Sequence, residues 1–422
     1  MVGLADRDTG LKYGTGTTHP VTAGTVVVAA TVGGCGLGLC SGLVPGLHAN
    51  NLAVLLLAAA PALGVAPLPL GCAMLSAGVV HTFLDVVPSL VLGVPDAAMA
   101  ASALPGHELV LGGRGREALR LSAVGSGVAL AAAIPVAVPL TAVAADLYPK
   151  ARPHLPVLLG GVALLGVATE HTWRRRGVAT VSFLLAAALG LVTPEQTPTA
   201  LVAAGGTLTP LFAGLFGVPV LVDALDGGGV PPQADARLAL APRSLGAAAT
   251  AGTGSGAAVG YLPGVSAGVA ATLALPFTPG EDPAREYVVA TSGANTATAV
   301  FALFAFVVLG TPRSGVLVAM SEAGVPPQLP PLLAATVVAG GVGVAGVLLL
   351  GDAAFVVARR VPQRELVVGV LGFVAVLSGA FAGVTGLVAL AAAAAVGFLP
   401  ARFGCRRVHL MGVLLGPIVV GG

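Results

Sequence analysis

The chain has 422 residues, of which 56% are hydrophobic and 9% charged, with a formal net charge of +2. An ordinary soluble domain carries about a quarter charged residues, so this composition excludes a soluble globular protein and points to a bilayer. The small net charge, with basic residues in short clusters between apolar runs, implies no nucleic-acid partner.

Residues 1–20, "MVGLADRDTGLKYGTGTTHP", form a polar tail without the basic n-region and cleavage site of a signal peptide, so the tail is expected to stay on the mature protein. Apolar stretches follow at 21–44, 47–70, 71–95, 119–147, 155–169, 178–193, 199–225, 247–276, 287–312, 330–352 and 366–399, with a short apolar end at 410–422. A hydrocarbon core needs about 20 apolar residues per helix. The runs are continuous rather than alternating in polarity, which excludes a transmembrane barrel. The expected fold is an all-α polytopic membrane protein of about ten to twelve membrane segments. The 61 glycines and 32 prolines predict broken, closely packed helices. Cys35, Cys40, Cys72 and Cys405 form no C-x-x-C or metal-ligand spacing and read as small membrane residues, and no metal or cofactor is expected.

One motif is written twice. "GCGLGLCSGLVPGLHA" (34–49) and "GTGSGAAVGYLPGVSA" (252–267) share Gly34/Gly252, Gly36/Gly254, Gly38/Gly256, Gly42/Gly260, Pro45/Pro263, Gly46/Gly264 and Ala49/Ala267. A second landmark, "VLGVP" (91–95), recurs as "VLGTP" (308–312). The chain therefore reads as an internal duplication: repeat 1 over 21–225, a loop over 226–246 and repeat 2 over 247–422. G-x-x-x-G lets another helix approach closely, and Pro45-Gly46 and Pro263-Gly264 break their segments into re-entrant pieces. Gly93 with Pro95, and Gly310 with Pro312, are further expected breaks.

Charge gives the orientation. After the V-L-G-x-P landmark, successive loops of the first half hold Arg114, Arg116 and Arg120, then Lys150 and Arg152, then Arg174, Arg175 and Arg176, then no basic residue over 194–198. The second half holds Arg313, then Arg359, Arg360 and Arg364, then none near 380–384, then Arg402, Arg406 and Arg407. Basic loops are cytoplasmic, so the alternation of rich and poor loops predicts repeats of inverted topology, an arrangement that secondary transporters use to build a midplane site from broken helices.

Polar residues at membrane depth are the candidate site: His48, Asn50 and Asn51 after the first break, Ser266 after the second, and Ser292, Asn295 and Thr296 before the second landmark. Ser76 pairs with Ser292 and Thr82 with Thr298 at one offset, suggesting duplicated polar sites. Asp85 lies well inside an apolar segment with His81 one helical turn before it. An ionised carboxylate there is costly unless paired, ion-bound or hydrated, so the two are candidates for coupling to H+ or Na+. The Gly-rich "LPGHELVLGGRGREALR" (104–120) lacks G-x-x-x-x-G-K-[ST] and is no phosphate loop.

"GLVPGLHANN", "VPSLVLGVPDAAMAASALPGHELVLGGRGREALRLSAVGS" and "VGYLPGVSAG" resemble the TctA family, the large membrane subunit of tripartite tricarboxylate transporters, and most resemble its archaeal branch. The resemblance runs from about residue 21 to the end. It implies a multi-pass protein of the cell membrane that takes up a small organic anion by symport, is not an enzyme, and works with a small membrane subunit and a soluble substrate-binding protein; a homodimer stays open, and lipid is the surrounding partner. "TSGANTATA" (291–299) departs from the Ser-Ala-Asn-Asn-type run of bacterial members, so a di- or tricarboxylate is only the default substrate. Two alternatives remain: a membrane-embedded enzyme acting on a lipid-linked substrate through His48, His81 and Asp85, and a permease subunit inactive without its partners.

Overall fold

A computed structural model describes residues 20–421, apart from 46, 95–98, 100–102, 194–199, 202–205, 226–228, 263, 264, 266, 279 and 281. Among the described residues there are helices and no strand, in keeping with a chain whose backbone must satisfy its own hydrogen bonds in lipid. The first part runs α1 (Pro20–Gly42), α2 (Ala49–Leu63), α3 (Pro67–Leu84), α4 (Val86–Leu92), α5 (Ala103–Leu111), α6 (Gly115–Ala151), α7 (Leu155–Ala168), α8 (Trp173–Val192), α9 (Leu208–Phe212), a π-turn (Ala213–Gly217) and α10 (Val218–Ala224). The second runs α11 (Pro242–Gly260), α12 (Ala267–Ala274), α13 (Pro283–Leu309), α14 (Gly315–Glu322), α15 (Leu329–Arg360), α16 (Gln363–Phe403) and α17 (Gly412–Gly421). Helix α11 starts ahead of the boundary at 247 read from hydropathy, because Pro242 at its first turn is pre-set for a helix start.

Among the described residues, seven helical stretches are long and apolar enough to cross a membrane, and shorter apolar helices accompany them. Val157, Leu164, Leu349, Val376 and Val384 are all exposed, an outward apolar surface that only lipid or other membrane protein can cover. Two elements are buried along most of their length: the continuous span made by α3 and α4, and α13. Around the first pack α1 and α15; around the second pack α11 and α6. Each central helix thus takes one neighbour from its own half and one from the other.

The duplicated glycines explain the first kind of contact. A Cβ on Gly38 would fall 2.5 Å from the carbonyl oxygen of Ala77, and one on Gly42 would fall 3.2 Å from that of His81. In the second half a Cβ on Gly256 would fall 2.9 Å from Ala294 O, and one on Gly260 3.1 Å from Thr298 O. Gly34 and Gly252 repeat the pattern against Ala73 and Ala290. Backbone approaches backbone at these six positions because no side chain stands between. The same contacts match His81 with Thr298, one residue away from the Thr82/Thr298 match suggested by polarity. The polar residues are therefore not duplicated in register: what repeats is the glycine seam.

The expected breaks are present where the structure describes them. α1 ends at Gly42, with Pro45 in the turn that follows, and the chain resumes helix at Ala49; α11 ends at Gly260 and α12 begins at Ala267. Gly46, Pro263, Gly264, Pro95 and Ser266 lie outside the described residues. Gly93 and Gly310 close α4 and α13 in the left-handed conformation, φ 68° and 65°, so V-L-G-x-P is a helix stop in both halves, with Pro312 two residues beyond the second.

Direction can be read from contacts. Cys72 lies beside Pro331 and Phe83 beside Gly343, so α3 and α15 run side by side in the same sense. Along α4 and α13 the order is reversed: Asp85 meets Asn295, whereas Gly106 of α5 touches Leu90 and lies in contact with Val288. α16 contains a non-helical residue, Gly383 (φ 60°, ψ −146°), where the backbone folds back; Gly379 then faces Leu387, and the two ends of the helix return to one side. Arg116 reaches Asp352 over 3.3 Å, Arg406 reaches Glu170 over 3.1 Å, and Gly404 lies against Arg175, so the Arg-rich loops come together at one end.

Candidate functional site

Asp85 stands at the junction of α3 and α4, where its backbone N–H still donates to His81 O at 2.9 Å. It is 3% exposed. Its Oδ2 accepts a hydrogen bond from Asn295 Nδ2 of α13 at 2.7 Å, and the same amide lies 3.4 Å from Thr82 O. Ser89 Oγ donates to Asp85 O one turn on. His81, also buried, uses its Nδ1 on Ser41 Oγ of α1 at 3.0 Å. The sequence neighbours His81 and Asp85 therefore address different helices: the histidine faces the glycine seam of its own half, and the carboxylate crosses to the other half. Ser41 carries no sequence signal beyond its place in the duplicated motif.

The other candidates divide into separate groups. Ser292 is buried on α13 but faces α6, donating to Ser122 Oγ at 2.8 Å, while its carbonyl accepts from Ser126 Oγ at 3.1 Å. Thr296 is fully buried and its hydroxyl has no hydrogen-bond partner among the described residues, a group that a bound ion or water could satisfy. His48 caps α2, its Nδ1 accepting from Asn50 N at 3.1 Å. Asn50 packs against Gly315 of α14, and Asn51 donates to Thr209 Oγ1 of α9 at 3.2 Å. The asparagines after the first break thus bind helices other than α13, and it is Asp85 and Asn295 that meet directly.

Two further charged clusters sit at the Arg-rich end. Glu117, 1% exposed, accepts from Arg285 Nε at 2.9 Å and Ala239 N at 2.8 Å, and pairs with Arg114 at 2.6 Å. Glu170 accepts from His409 Nε2 at 2.9 Å and from Arg406 N and Nε. Burial alone would raise the Glu170 pKa, but the bonds from His409 and Arg406 outweigh it and hold the carboxyl down at about 2. Both clusters are anchors between loops, with their hydrogen bonds directed to protein.

The Tripartite tricarboxylate transporter TctA family matches residues 28–412 of the chain. The chain belongs to the TctA family. It is therefore a membrane component of the tricarboxylate-transporter type, and the seven apolar helices found among the described residues agree with a multi-pass protein. An uncharacterized protein of Methanocaldococcus jannaschii is 28% identical over 287 residues, covering 66% of this chain and 68% of its own length. No solved structure matches the present chain. Within this TctA protein, the matched region contains both glycine seams, Asp85 and Asn295.

Proposed function

We propose that the chain is a cation-coupled secondary transporter for a small organic anion, working by alternating access between two repeats of inverted topology. The observation that carries this reading is the buried carboxylate of Asp85 held by Asn295 across the two central helices. A carboxylate at that depth is a functional group by default, and the Asn295 amide that donates to it belongs to the other half, so relative motion of the halves changes its environment. The opposite course of the helices α4 and α13 and the gathering of the Arg-rich loops at one end support the inverted arrangement. The Arg-rich end is then cytoplasmic.

H+ or Na+ is the coupling ion, with Asp85 as its carboxylate. His81 tunes the seam beside it. A di- or tricarboxylate is the substrate class implied by the family, and a small membrane subunit with a soluble binding protein are the partners it implies. Proteoliposomes containing the purified chain, given a panel of labelled carboxylates under imposed proton or sodium gradients, test this directly. Accumulation of one carboxylate that collapses with one ionophore is the expected result. Flux of no carboxylate under either gradient, with or without the partner subunits that the family implies, rules the reading out.

A further inference from the structure

Past the far end of α4, the Arg-rich end encloses a cavity of about 270 Å³. Its apolar wall is aliphatic, including Val91, Leu92, Val220, Leu221, Leu366 and Val367, and its polar groups are His107, Asp223, Gln363 and Arg407. Because α16 folds back at Gly383, Gln363 at the start of its first arm and Arg407 beyond its second both reach this space.

Arg407 is the unusual member. Its side chain is 9% exposed, its Nη1 donates to Phe216 O at 3.3 Å, and its Nη2 stands 3.9 Å from Oδ2 of Asp223, which is 62% exposed and solvated. Among the described residues its buried Nε donates to no group. Gln363 uses its amide nitrogen on Ala224 O at 3.3 Å, and among the described residues its buried Oε1 accepts from no donor. A buried guanidinium with an unused N–H and a carboxylate as far as 3.9 Å is poorly compensated. Both orphan atoms belong to side chains lining the same cavity, so one ligand could satisfy them.

A guanidinium edge fits the paired oxygens of a carboxylate or phosphate, the aliphatic walls fit a short apolar body, and the volume lies just below the usual range for small-molecule sites. We propose that this cavity is a binding site for a small oxyanion anchored by Arg407, with Gln363 as its second polar contact, separate from the Asp85–Asn295 pair. The oxyanion is supplied either by a free carboxylate or phosphate or by the phosphate of a lipid headgroup. The site stands on its own geometry and does not depend on the transport reading.

The test titrates inorganic phosphate and acetate calorimetrically into full-length, delipidated protein in detergent, while native mass spectrometry before delipidation records any retained anionic lipid. One binding site is expected, weakened about tenfold or more by Arg407→Gln and equally by Ala224→Phe, which fills part of the cavity and leaves the Arg407 side chain in the sequence. A retained lipid that is displaced by phosphate identifies the headgroup as the source; binding with no retained lipid identifies a free anion. An affinity unchanged in Ala224→Phe, or no binding of either probe with no retained lipid, overturns the proposal.

Discussion

Asn295 Nδ2 donates to Asp85 Oδ2 over 2.7 Å, joining residues 210 apart in sequence and the two most buried helical spans of the molecule. Any sliding of α13 along α4 must either break this bond or carry Asp85 with it.

Removing one partner should separate stability from coupling. Asp85→Asn keeps shape and leaves a neutral amide against Asn295, a change buried sites often tolerate, so the unfolding midpoint should stay near that of the unmodified protein. Accumulation against a gradient should be lost while substrate exchange persists. Asn295→Leu instead strips a donor from a buried carboxylate and should destabilise by about 1–3 kcal/mol. Undiminished accumulation by Asp85→Asn, with the same ion dependence, would show that the cation binds elsewhere.

Much of this was legible in the sequence, and the residues show where legibility stopped. The glycine seam could be read because backbone contact needs glycine at fixed spacing, and Asp85 stood out because a carboxylate in an apolar run has few explanations. Its partner could not be read. Asn295, Ser292 and Thr296 look alike on paper, and only the helix azimuth decides that Asn295 faces α4 while Ser292 faces Ser122. Arg407 looked like one more loop arginine; its burial follows from the fold-back at Gly383, which joins residues far apart in sequence.

The seam makes a prediction at paired positions. Gly38→Ala and Gly256→Ala place a methyl group within 2.9 Å of a facing carbonyl oxygen and should each cost about 1–3 kcal/mol by overpacking. Gly36 and Gly254 have nothing within 4 Å of an added Cβ, so alanine there should be neutral or slightly stabilising through helix propensity. Unfolding in mixed micelles would show the contrast in both halves; equal effects at all four positions would mean the seam is not a close contact.

Glu170 predicts a pH dependence. Its carboxyl is held at about 2, below the ordinary 4.5, by His409 and Arg406 against the opposing effect of burial. The folded state thus stays ionised where the unfolded chain takes up a proton, so the stabilisation is full above about 4.5 and declines as pH falls toward about 2. Glu170→Gln should lack this acid limb. Midpoints of the two proteins that fall in parallel through that window would remove Glu170 as its source.

Gly383 makes the fold-back of α16 possible with φ 60° and ψ −146°, a conformation open in practice only to glycine. Gly383→Ala should destabilise by about 1–3 kcal/mol, while Gly369→Ala, in the same helix with free space around its Cα, should not. The Arg407 cavity depends on this bend, so a loss of phosphate binding in Gly383→Ala should accompany the loss of stability. Equal stability of the two variants would place the turn of α16 elsewhere.

The last prediction concerns the two sides of the membrane. α5 and α14 are the short helices that follow the two V-L-G-x-P stops, and in a parallel repeat their ends would emerge on the same side. Here Leu111, at the end of α5, lines the cavity with Arg407, while α14 leads through Val325, which packs against Gly71 near the start of α3, at the other end of the central span. Leu111 and Glu322 are both exposed. With the four native cysteines replaced, Leu111→Cys in oriented vesicles should react with a membrane-impermeant maleimide only from the cytoplasmic side, because the surrounding arginines set that side. Glu322→Cys should react only from the opposite one. Labelling of both from one side would make the duplication parallel, and the alternating-access argument built on its inversion would fall with it, whereas the Asp85–Asn295 bond and the Arg407 cavity would stand as structural facts needing a different mechanism.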